Sequence, residues 1–79
     1  MTADDLERVL RSLARRRPFR PFLIELFSGD RILVSNPEAV NRYGELFLHR
    51  GPDRSQRVFA GPSVCQIVDP PTAPPEGAA

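Results

Sequence analysis

The sequence predicts a mainly β, α+β domain: an N-terminal helix and a strongly bent, five-stranded antiparallel sheet, closed or nearly closed into a small barrel. Three observations carry this. Residues 18–38, PFRPFLIELFSGDRILVSNPE, hold a proline entry, an apolar strand, a glycine turn, a second apolar strand and a closing proline. Before them lies an amphipathic stretch at helical spacing. After them come short alternating runs separated by Gly/Pro corners.

The helix is expected over residues 3–17. Thr2 with Asp5 approximates a capping box, acidic residues crowd the first turn, and Arg15, Arg16 and Arg17 crowd the last. Leu6, Val9, Leu10 and Leu13 form one narrow apolar stripe. Pro18 ends it.

The strands begin at Phe22. Side chains alternate between faces with period two. A Ser28-Gly29-Asp30 loop pairs Leu26 with Ile32 and Ile24 with Val34, gathering Phe22, Ile24, Leu26, Ile32 and Val34 on one face. A two-residue Gly29-Asp30 loop would mix Glu25 into that set, so the three-residue loop is expected. Asn36-Pro37-Glu38 bends or breaks the second strand. Asn41 to Gly44 reads as a turn. Further strands are expected over Glu45–Arg50, Gln56–Ala60 and Val64–Val68, with Gly51-Pro52-Asp53 and Gly61-Pro62-Ser63 as corners. Leu46 and Leu48 are expected to join the core. For strand 56–60 either Val58 or Phe59 points inward.

At 79 residues the chain is one domain, expected over 1–69, with a disordered Pro-rich tail over 70–79. The tail's Pro71-Thr72-Ala73-Pro74 matches PxxP, a pattern common in linkers. A domain this small buries only about 60% of its unfolded surface and benefits from outside support. Cys65 is the lone cysteine and His49 the lone histidine, so no internal disulfide or four-ligand zinc site is available. Self-association is the support that remains. The start is acidic and no apolar run approaches the roughly 20 residues that span a bilayer, so a cytoplasmic protein without a membrane partner is expected.

The chemistry is sparse. Cys65 and His49 are a nucleophile and base in type only; no orienting group or oxyanion motif accompanies them. Cys65 reads as a buried strand thiol and His49 as a half-exposed strand residue. Glu25, Glu38 and Glu45 are scattered, and there is no phosphate-cradling glycine loop. Neither an enzyme nor a cofactor is expected. Net charge is +1, but all eleven basic residues are Arg and six fall in residues 1–22. Arg15, Arg16, Arg17 and Arg20 are candidate phosphate contacts, with Tyr43 as a stacking aromatic. The competing reading is that these arginines cap the helix and pair with neighbouring acids.

The helix, the bent second strand and the tight corner before the last strand resemble the bacterial Sm-like (Hfq-type) small barrel. FLIELFSGDRILV is similar to that family's first two strands and glycine turn. The same core resembles a pattern in short, uncharacterised bacterial proteins, PFxPFxIxLxxGxxxxVxxPE. An SH3-like barrel suits the same strand pattern. Sm RNA pockets use an Asn or aromatic before strand three and an Arg-Gly or Lys-His pair before strand five. Here Tyr43-Gly44 and Ala60-Gly61-Pro62-Ser63 stand in those places. The resemblance implies the architecture and edge-to-edge rings, not the uridine pocket.

The expected function is a non-enzymatic binding or assembly module that self-associates, in closed cyclic form, or holds a protein partner. The alternative is an Sm-like protein that binds single-stranded RNA through the Arg-rich helix end. The expected oligomer interface is the second strand face: Leu23, Phe27, Leu33, Phe47 and Phe59. Side by side they exceed the scattered apolar exposure of a monomer.

Overall fold

The computed structural model describes residues 1–69; the expected disordered tail, 70–79, lies outside the described residues. The chain runs α1 (Ala3–Ala14), β1 (Phe22–Leu26), β2 (Arg31–Val34), β3 (Val40–Tyr43), β4 (Leu46–Arg50), β5 (Gln56–Ala60), a 3-10 turn (Gly61–Ser63) and β6 (Val64–Val68). The α+β class is as expected, with strands predominating. The sheet is not. Six strands form two three-stranded antiparallel sheets, in the orders β2-β1-β6 and β3-β4-β5. No ladder joins them, so the described residues form no closed barrel.

Two breaks separate the sheets. Asn36 Oδ1 accepts the Glu38 N–H at 2.9 Å, an Asx turn that stops β2 at Val34. The 3-10 turn Gly61-Pro62-Ser63 stops β5 and starts β6. Val40–Tyr43, where a turn was expected from Asn41, is a strand: it pairs with β4 from Val40–His49 to Tyr43–Leu46. Only Gly44, at φ +63°, keeps the turn role between β3 and β4.

The β1–β2 register corrects the expected one. Ile24 lies opposite Ile32, Phe22 opposite Val34 and Glu25 opposite Arg31, so Leu26 does not face Ile32. Turn chemistry decided this. The loop is Phe27-Ser28-Gly29, with Leu26 N–H bonded to Asp30 O and Gly29 N–H to Leu26 O, each at 2.9 Å. Such a loop is a type I turn followed by a left-handed residue, so glycine must come last. Gly29, at φ +96°, takes that place. The slip is two residues, an even number, so no side chain changes face. Phe22, Ile24, Leu26, Ile32 and Val34 are all buried, and Glu25 is more exposed than Ile24.

In β4 the faces are reversed from expectation. Phe47 and His49 point inward, while Leu46 is 48% exposed and Leu48 half-buried. Phe59 also points in, and its ring stacks on Phe47 at 5.7 Å between centroids. Val58 points out. The reason is cross-strand. Phe47 lies opposite Phe59, so turning either one inward carries the other with it. His49 follows on the same face, and its polar tip finds a carbonyl there.

Helix α1 ends at Ala14, short of Arg17. Pro18 disfavours helical backbone at Arg17, and Arg15 closes the last turn by donating to Arg11 O and Ser12 O at 3.2 and 3.3 Å. The N-cap is as expected: Thr2 Oγ1 accepts the Asp5 N–H at 3.1 Å. Ala3 and Leu6 are buried, with Leu10 and Leu13 packed at the core's edge. The helix start meets the 3-10 turn so closely that a Cβ on Gly61 would lie 2.8 Å from Ala3 N. Only glycine fits there.

Candidate interaction surface

The expected interface divides. Phe47 and Phe59 are 1% and 5% exposed and belong to the core, so they are no part of a surface. Leu23 is half-buried at the centre of its sheet. Leu33 is exposed. Phe27 is 72% exposed, on the tip of the β1–β2 hairpin. Its own N–H is tied down, donating to Ser63 O at 2.9 Å, so the loop backbone is anchored while the ring is bare.

A second apolar strip lies on the outer face of β3-β4-β5. Tyr43 pairs with Leu46, and Leu48 with Val58, so these four side chains share that face. Tyr43 and Val58 are 60% and 59% exposed. Only the inner-face assignment of Phe47 and Phe59 makes this strip apolar. The expectation that reversed β4 therefore missed it.

The four arginines of the expected phosphate site are held differently. Arg16 is tied at the surface of the fold: Nη1 donates to Asp69 Oδ2 at 2.6 Å, and Nη2 to Asp69 Oδ1 at 3.3 Å and Arg20 O at 3.0 Å. It ties the end of α1 to the end of β6. Arg17 turns back onto the Ala14 and Arg16 carbonyls, a helix-capping role. Arg15 and Arg20 are exposed. Tyr43 sits on the outer sheet face, on a different element from all four.

The arginine that organises the charged surface is Arg42, which the sequence reading passed over. From β3 it donates to Asp4 at 2.9 Å and Glu7 at 2.6 Å on α1, and its guanidinium lies 5.9 Å from the Phe47 ring centroid. The hydrogen bonds it donates to Asp4 and Glu7 hold its pKa above the ordinary value. Glu7 also accepts from Arg11 at 2.7 Å, so one carboxylate bridges two guanidiniums. Glu7, Arg11 and Arg42 rim a cavity of about 240 Å³ between α1 and the two sheets. Its apolar wall includes Leu10, Phe19, Phe22, Val34, Val40 and Phe47. No sequence signal marks it, because it exists only where α1 and strands β1 to β4 meet.

No family model, curated protein or solved structure matches this chain. Function therefore rests on geometry alone.

The remaining candidates fall out individually. Cys65 is exposed on β6, contrary to the buried thiol expected. His49 is buried on β4, contrary to the half-exposed position expected, with its Nε2 on Leu33 O. They sit in different sheets and do not form a pair. Glu25 is held by neighbours on its own sheet: Gln66 donates to it, and Arg31 lies 3.5 Å away, both lowering its pKa. Among the described residues no three His, Cys, Asp or Glu side chains gather as metal ligands. No described helix is long and apolar enough to cross a membrane.

Proposed function

We propose that this protein is a non-enzymatic assembly module that associates with copies of itself through exposed apolar surface. One observation carries this: Phe27, Leu33, Tyr43, Leu46 and Val58 are exposed in a chain whose core is already complete without them. Covering a side chain of this size fully is worth roughly 1.5–3 kcal/mol, large beside the marginal stability of a domain this small.

The order of elements supports an Sm-like layout for the module. Helix, hairpin, a second strand interrupted at Asn36–Glu38 and a 3-10 corner before the last strand follow one another as in that family's barrels. The outermost strands of each sheet leave backbone groups for edge pairing. Sedimentation equilibrium across the micromolar range tests the proposal. Assembly is the expected outcome. A monomer of 8.8 kDa at every concentration refutes it.

A further inference from the structure

Phe27 and the cavity are a knob and a hole at opposite ends of β1. Phe22, the first residue of β1, forms part of the cavity wall, and Phe27 follows its last residue. Five residues of strand separate them by roughly 17 Å, so Phe27 cannot reach the cavity of its own chain. We propose that the Phe27 ring of one copy seats in this cavity of the next. The proposal rests on the self-association proposed above and assigns its contact.

Size and ring geometry agree. The cavity, about 240 Å³ and open to the surface on one side, has room for a phenyl ring against its apolar wall, with polar groups at the rim. Phe19 and Phe22 already meet edge-to-face in its wall at 6.2 Å, a geometry a third ring extends. The knob is anchored at its backbone and needs little ordering on docking. Asp30 beside the knob is paired with Arg57, and Arg11 on the rim of the hole with Glu7, so neither half brings an unpaired charge into the contact. Knob and hole lie at opposite ends of β1, so the contact either closes reciprocally as a two-fold pair or runs head to tail into a ring or row.

Complementation tests this. Phe27→Ser removes the knob and keeps the hole. Ala14→Phe fills the hole from the helix end and keeps the knob; Asn41→Trp does so from the mouth if Ala14→Phe fails to fold. Each variant alone is expected to weaken assembly at least about tenfold. Mixed one to one, they are expected to form a heterodimer of twice the chain mass, since one intact knob and one intact hole remain. Sedimentation velocity reads both. A wild-type chain that assembles while Phe27→Ser assembles equally well overturns the knob and leaves the assembly proposal standing. Folded variants that stay monomeric on mixing also overturn it. A wild-type chain that never assembles overturns both proposals.

Discussion

His49 Nε2 lies 3.0 Å from the carbonyl oxygen of Leu33, a side-chain bond from β4 of one sheet to β2 of the other. A carbonyl only accepts, so the proton resides on Nε2. The ring is buried between sheets that share no ladder, which makes it both packing and tether. His49→Ala is expected to lower the unfolding free energy by about 2–4 kcal/mol, from the cavity and the lost bond together. His49→Gln, which keeps a donor, is expected to lose less. Urea titration measures both, and nitrogen NMR of the imidazole should show the Nε2–H tautomer.

Gly61 and Gly29 should fail differently as alanine. At Gly61 the new methyl meets Ala3 and Thr2 backbone at 2.8–2.9 Å, which cannot yield without shifting the start of α1. Overpacking of this kind costs about 1–3 kcal/mol. At Gly29 nothing lies within 4 Å, and the cost comes from φ +96° alone. Amide exchange separates the two: Gly61→Ala should loosen the first turn of α1, and Gly29→Ala only the hairpin.

Phe47→Ala is expected to destabilise the monomer by about 3–5 kcal/mol, because the ring is fully buried against Phe59. Phe27→Ser should leave monomer stability unchanged within about 0.5 kcal/mol. Thermal melts of both variants at low concentration check this. A charge at Phe47 reports on folding, not on association.

Asp30 and Arg57 are joined at 2.6 Å from the hairpin loop to β5, and that hydrogen bond holds the Asp30 carboxyl below the ordinary aspartate value. A depressed folded-state pKa stabilises above the unfolded value and loses that contribution as pH falls through the folded one. The contribution is thus present at neutral pH and lost only in acid. In Arg57→Gln the Asp30 carboxyl should titrate higher in carbon NMR, and the acid unfolding limb should change little, since the pair is solvent-screened.

Arg42→Ala should lower the melting temperature clearly more than Arg8→Ala. Arg42 joins α1 to β3 through two carboxylates and covers Phe47, whereas Arg8 meets only Asp5, one turn away on the same exposed helix. High salt should narrow the difference without abolishing it, because the packing over Phe47 is not screened.

The sequence by itself determined the helix, its cap at Thr2 and the faces of β1 and β2, because each depends on residues close in the chain. Alternation from Phe22 to Val34 sets which side chains are buried, and a two-residue slip in register leaves that set intact. Gly29 also carried the true register, since a left-handed residue must close the loop. Where both faces of a strand are apolar, alternation loses its meaning. Leu46 and Leu48 against Phe47 and His49 were equivalent by pattern. Only the stack on Phe59 and the carbonyl of Leu33 chose between them, and both partners are distant in sequence. The same holds for the surface. Arg15, Arg16 and Arg17 are adjacent in the chain, yet Asp69 withdraws Arg16 from any shared site. The cavity needs α1 and strands β1 to β4 in place at once, and Phe27 becomes a bare knob only because the core closes without it. Contacts between elements, each worth a few kcal/mol at most, made those choices after local pattern had been satisfied.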